Sequence, residues 1–114
     1  MTDRELLEYA AKAAGLEATA IVPDGIPHRF GGGYWNPLTD DGDALRLAVK
    51  LRLTIRLEDP DGTLSGIAAY QDGAPTFDGK GPWFRKEWNK DSDAYAATRR
   101  AIVRAAAEIG KTMP

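Results

Sequence analysis

The sequence predicts an α+β fold, a short antiparallel sheet packed with three helices. Leu51, Leu53, Ile55 and Leu57 alternate with Arg52, Thr54, Arg56 and Glu58, the period-two pattern of a half-buried strand. Asp59-Pro60-Asp61-Gly62 then turns the chain back into Thr63 to Gln71, giving a hairpin over about 51–71. Around it, three segments repeat apolar residues at helical spacing, over about 3–14, 40–50 and 92–109. Sequential strands joined by a tight turn pair antiparallel, and helices must cover their apolar face.

The first helix begins with Thr2-Asp3-Arg4-Glu5, a capping box in which Thr2 and Glu5 satisfy each other's backbone amides. Leu6, Leu7, Ala10, Ala13 and Ala14 recur at helical spacing, and Gly15 is the stop because glycine takes a left-handed conformation without a Cβ clash. Between 16 and 36, a β-prone run from Thr19 to Val22, the turn signal Pro23-Asp24-Gly25 and then His28 to Phe30 predict a small hairpin, followed by a Gly31-Gly32-Gly33 loop.

Tyr34 to Leu51 concentrates aromatics, a proline and three carboxylates before an amphipathic run. Pro37 disfavours helix at Asn36; Thr39 or Asp40 can cap, and Asp40, Asp41 and Asp43 face the positive end of the helix dipole. Ala44, Leu47, Ala48 and Leu51 line one face, with Leu45 and Val49 expected to widen it and Trp35 expected to anchor near the helix start. After the hairpin, the small residues Gly66, Ala68 and Ala69 suggest a close neighbour; 72–90 is turn-rich, with Thr76 to Asp78 a candidate short edge strand. Asp91 or Ser92 caps the last helix. Tyr95, Thr98, Ile102, Ala105 and Ile109 are expected inward, Arg99, Arg100, Arg104 and Glu108 outward, and Gly110 is expected to end the helix.

A chain of 114 residues suits one domain, here 1–114, with an ordinary core. It has no cysteine, which removes disulfides and thiolate chemistry and fits a reducing compartment. No signal peptide is expected from the opening residues, and no apolar run reaches the ~18–20 residues of a membrane span. A net charge of −2 lacks the basic excess of a dedicated nucleic-acid binder.

No constellation of residues points to catalysis, a cofactor or a metal. Asp40, Asp41 and Asp43 lack the spread and the closing acid of a calcium loop, so helix capping explains them. Asp59, Asp61, Asp72 and Asp78 sit in turn sequences. His28 is the single histidine, without zinc partners, and reads as a loop residue. The glycine run lacks the Gly-Lys-Ser/Thr of a phosphate loop.

The segment 79–90, GKGPWFRKEWNK, stands out. Four basic residues against one acidic give it +3 within a chain of −2. Trp83, Phe84, Arg85, Lys86 and Trp88 are therefore the candidate partner-binding residues. Tryptophan and arginine are favoured anchors of protein interfaces, whereas aromatics stacked on bases with cations along phosphates would suit single-stranded nucleic acid. A purely structural role, aromatics tying a long loop to the sheet while charges stay wet, is the plain alternative. Arg52, Arg56, Arg99, Arg100 and Arg104 could extend a basic surface. The element order also occurs in double-stranded RNA-binding domains, but the acidic start of the last helix, Asp91-Ser92-Asp93, departs from them. A second copy of the chain could complete an unpaired strand edge as a homodimer.

The stretch WNPLTDDGDALRLAVKL, with the leading LLEYAAKAAG and the closing DAYAATRRAIVRAAAEIGK, resembles small uncharacterised proteins of tailed bacteriophages and prophages grouped around a phage α-β-α sandwich domain. In those proteins a Trp-x-Pro motif precedes the central helix, as Trp35-Asn36-Pro37 does here, and Ala97-Thr98-Arg99-Arg100 echoes the text near the start of their terminal helix. The similarity spans most of 3–14 and 34–110; the segment from about 17 to 33 is less typical. The resemblance implies a phage or prophage origin, hence the host cytoplasm, and an α/β sandwich; it implies no activity and carries over no catalytic residue. The expectation is a small accessory protein that binds a host or phage protein without catalysis, with nucleic-acid binding through 80–90 as the alternative.

Overall fold

The computed structural model describes residues 1–16, 20–28, 32–58, 66–71, 83–87 and 94–114, with side chains described over 1–16, 20–28, 32–55 and 95–114. The fold is α+β. Its elements run α1 Asp3–Ala13, β1 Ile26–Pro27, β2 Tyr34–Trp35, α2 Asp41–Leu51, β3 Leu53–Glu58, β4 Gly66–Gln71, β5 Trp83–Glu87 and α3 Ala94–Thr112. The larger sheet is antiparallel in the order β3-β4-β5, and β1 pairs with β2 in a separate two-stranded ribbon.

The predicted capping box opens α1. The Glu5 amide donates to Thr2 Oγ1 at 3.2 Å, and Glu5 Oε1 accepts from the Thr2 amide at 3.2 Å and its hydroxyl at 3.1 Å. The Thr2 backbone N–H first, and then its hydroxyl, hold the Glu5 carboxyl below the ordinary glutamate value. A carboxyl depressed in the folded state adds stability above its unfolded pKa and loses it as the pH falls through the folded pKa. The first turn is therefore firmer at neutral than at acid pH. Thr2→Ala removes the hydroxyl donor and should move the Glu5 titration, followed by side-chain carboxyl NMR shifts, back toward the ordinary value; an unmoved titration would show that the hydroxyl does not act on it. At the other end Gly15 stops the helix at φ +76. The Gly15 amide donates to the Lys12 carbonyl and the Leu16 amide to the Ala11 carbonyl, the paired bonds of a Schellman turn.

In α2 Asp40 is the cap, its Oδ2 accepting from the Asp43 amide at 2.8 Å. Ala44, Leu47 and Ala48 are buried as expected. Leu45 and Val49 are not: they are 61% and 69% exposed. At 100° per residue they fall beyond the flank of the Ala44–Ala48–Leu51 stripe that meets the core, so they do not widen it. Leu51 closes α2 rather than opening the strand, and Arg52 turns the chain through a left-handed conformation, φ 56. The helical and alternating patterns overlap at Leu51, which satisfies both.

The hairpin after it pairs Leu53 with Gln71 through Glu58 with Gly66, and Leu53 and Ile55 pack on the core. The earlier hairpin exists in a different register from the expected one. Val22 and Gly25 bridge across the predicted turn, but the strands that pair are Ile26–Pro27 with Tyr34–Trp35. Gly25 has φ +124, and a Cβ there would lie 2.5 Å from the Trp35 carbonyl oxygen, so the turn is pressed against β2. Thr19 and Phe30 lie outside the described residues, as do Thr76 to Asp78, Asp91 and Ser92.

Helix α3 departs most from expectation. It packs against α1 and α2 and also against all three strands of the larger sheet, which leaves Arg104 and Glu108, expected outward, half-buried. Ala101, Ile102, Val103, Ala105, Ala106 and Ala107 are all buried, whereas Tyr95, expected inward, is exposed. Arg99, expected outward, is 16% exposed and pairs with Asp41; its Nε donates to the Leu38 carbonyl at 2.9 Å and its Nη1 to Asp41 Oδ1 at 2.6 Å. Arg100 pairs with Asp3 at 2.9 Å. Gly110 does not end the helix, which runs on to Thr112. It lies where α3 crosses α1: a Cβ at Gly110 would run into the Tyr9 carbonyl oxygen and lie 2.8 Å from its carbon.

Candidate functional site

The sequence singled out Trp83, Phe84, Arg85, Lys86 and Trp88. The structure places the first four in a strand rather than in the turn-rich loop that was expected. β5 pairs Trp83 with Tyr70, Phe84 with Ala69, Arg85 with Ala68 and Lys86 with Ile67. β4, the strand of Gly66, Ala68 and Ala69, lies between β3 and β5, and α3 packs against it. Trp88, Lys80 and Lys90 lie outside the described residues. Among the described residues β5 is an outer strand of its sheet, and an outer strand offers a row of backbone donors and acceptors on its free side.

Two members of the wider basic surface are otherwise engaged: Arg99 and Arg100 pair with Asp41 and Asp3 and so tie α3 to α2 and α1. The acidic trio likewise divides into three separate tasks. Asp40 caps α2, Asp41 receives Arg99, and Asp43 is buried with one oxygen on the Asn36 amide at 2.9 Å and the other on Arg46 Nη2 at 2.8 Å. Among the described residues no three histidine or acidic side chains gather as a metal would require, and no helix is long and apolar enough to cross a membrane.

A second feature is a half-open groove of about 890 Å³ between the end of α1, the β1–β2 ribbon and α2. Each wall follows from local structure. The Schellman turn carries Leu16 to the rim, where it is 40% exposed. The ribbon contributes Pro27, His28 and the partly buried Trp35. Helix α2 contributes Asp43, Arg46, Leu47 and Lys50, which lie at i, i+3, i+4 and i+7 and therefore share one face. Ile26 and Leu47, 5% and 2% exposed, form the floor.

Arg46 reaches Asp43 at 2.8 Å and Asp40 at 3.8 Å yet keeps a side chain 71% exposed. Lys50 makes no ion pair among the described residues; its ammonium lies 3.9 Å from where a Gly15 Cβ would stand, beside the end of α1, where the helix dipole favours a cation. His28, read from sequence as a loop residue without a role, lines the groove. The 43–46–50 spacing was visible on the predicted α2, but nothing local in the sequence brings 16, 28 and 35 to it.

No protein-family model, no curated protein and no solved structure matches the chain.

Proposed function

We propose that the chain is a small accessory protein of a phage or prophage that acts by binding another protein through β5, without catalysis. The single observation carrying this reading is that the middle of the most basic and aromatic stretch of the sequence, Trp83–Glu87, forms an outer strand among the described residues. An extended peptide can add to such an edge, drawing affinity from backbone hydrogen bonds and specificity from alternate side chains. Arg85 and Lys86, in a chain of net charge −2, favour a partner strand rich in acidic residues. The phage origin rests on the resemblance around Trp35-Asn36-Pro37. The nucleic-acid reading loses support because Arg99 and Arg100 are engaged with carboxylates.

The test uses the full chain as bait in a lysate of bacteria carrying a tailed phage, followed by binding of the purified partner. The wild type should bind it, Arg85→Glu/Lys86→Glu should weaken it at least tenfold, and hydrogen exchange should slow at the β5 amides in the complex. Equal binding by the double variant, or protection confined to another element, would refute the reading. So would tight binding of a single-stranded oligonucleotide with affinity falling steeply in salt, the signature of phosphate contacts.

A further inference from the structure

We propose that the groove between α1, α2 and the β1–β2 ribbon binds a small amphipathic carboxylate, its head at Arg46 and Lys50 and its apolar body against Leu16 and Trp35. The proposal is independent of β5.

Charge sets the sign of the ligand. Among the described lining residues the charged side chains are Arg46, Lys50 and Asp43, and Arg46 already has Asp43 at 2.8 Å and Asp40 at 3.8 Å, so Lys50 is the cation with no carboxylate among the described residues. The one carboxylate cannot serve a cationic ligand, because both its oxygens are taken by the Asn36 amide and by Arg46. The two cations lie four residues apart on α2 and so share one face, and a carboxylate reaching Lys50 would give it a counter-charge. Arg46 spends one nitrogen on Asp43, and a guanidinium has five N–H donors in all. The negative end of α1 is close to Lys50, but the Ala11 and Lys12 carbonyls already accept from Leu16 and Gly15, so the last turn does not present them as a bare acceptor row.

Shape and polarity set the rest of the ligand. A volume of about 890 Å³ falls within the range of small-molecule sites, roughly 300–1,000 Å³. Leu16, a large apolar side chain left 40% exposed, and the partly buried Trp35 form walls suited to a hydrocarbon or a ring rather than to inorganic phosphate. Ligand sites commonly combine such apolar walls with a few placed polar groups that fix orientation.

Octanoate is the probe, with octanol and inorganic phosphate as comparisons, titrated into the isotope-labelled full chain and followed by NMR. Octanoate should saturate with a Kd on the order of 1 mM or tighter, moving the Trp35 indole N–H and the Leu16 and Leu47 amides. Lys50→Gln should weaken binding by about fivefold, the weight of one charge-assisted contact, and octanol, which loses the contact to Arg46 as well, by more than that; phosphate should not saturate. Lys50 and Leu16 are exposed, so Lys50→Gln and Leu16→Asp should keep the parent melting temperature, and Leu16→Asp should abolish binding. The proposal is overturned if octanoate fails to saturate, if octanol binds equally well, if Lys50→Gln binds as the parent does, if the shifts centre on β5, or if an acidic peptide occupies the groove more tightly than octanoate.

Discussion

Gly110→Ala is expected to destabilise the protein by about 3 kcal/mol, the upper end for forcing an extra carbon into a packed interior, and to lower the melting temperature by on the order of 10 °C. The added Cβ would meet the Tyr9 carbonyl oxygen and carbon and come within 3.3 Å of the Ala13 amide nitrogen. These are backbone atoms of α1 and cannot swing aside as a side chain does. Relief requires α1 and α3 to separate, and their contact is made by small residues, with Ala10, Ala106 and Ala107 all fully buried. A separation at Gly110 therefore opens space along the crossing, and lost packing adds to the clash. Alanine is the better helix former by about 1 kcal/mol, which offsets only part of this.

Gly42→Ala in the first turn of α2 provides the contrast. Its Cβ would meet the Arg46 guanidinium at 3.1 Å and the Asp40 carboxylate at 3.2 Å. Both side chains are largely exposed, 71% and 58%, and can give way. The same substitution should there be within about 0.5 kcal/mol of neutral. Urea denaturation of both variants decides the matter. Equal stability of Gly110→Ala and the parent would mean that α1 and α3 do not cross this closely.

Gly110 also shows where the sequence misleads. A glycine near the end of a helical pattern, followed by Lys-Thr-Met-Pro, carries the ordinary signal of a helix stop; its use as a crossing point depends on Tyr9, about a hundred residues earlier. Ile102 and Ala105 of α3 are buried as expected, but Tyr95 and Arg99 are reversed, for a related reason. A helix with one buried face shows its phase through the polar residues opposite, but α3 is packed by helices on one side and strands on another. Alanines therefore fill most of its middle, and Arg99 projects toward α2 instead of water. The helices with one wet face, α1 and α2, were legible, and so was the alternating run that forms β3. β5 was not, because WFRKE has no alternation to recognise and is extended by its pairing with β4. The groove was half legible: the α2 face was present in the spacing of Asp43, Arg46 and Lys50, while the opposing walls arrive through tertiary folding.

Asp43→Ala is expected to cost about 2–3 kcal/mol, far more than capping alone would predict. A carboxylate that only complements the helix dipole is worth about 0.3–1 kcal/mol, and Asp41→Ala, whose carboxylate is 71% exposed in its pair with Arg99, should fall near that range. Asp43 is 5% exposed and holds the buried amide of Asn36 at 2.9 Å. Asn36 in turn accepts from the Leu38 amide at 3.0 Å and donates to the Asp24 carbonyl at 3.2 Å. One carboxylate thus fastens the entry of α2 to the turn before β1. Removing it strands a buried N–H, a penalty of about 1–3 kcal/mol in addition to the lost bond. Asp43→Asn keeps an oxygen for the Asn36 amide and loses the charge, so it should cost about 1 kcal/mol. Arg46→Gln breaks a pair that is mostly solvated on the arginine side and should cost about 1 kcal/mol or less. The order of the three by urea denaturation, alanine well below asparagine and asparagine close to Arg46→Gln, separates a buried strut from a dipole effect. If Asp43→Ala and Asp41→Ala lose equally little, the carboxylate is merely one of three that mark a helix start. If the order holds, hydrogen exchange in Asp43→Ala should also quicken at the β1 and β2 amides, because the ribbon wall of the groove is held to α2 through Asn36.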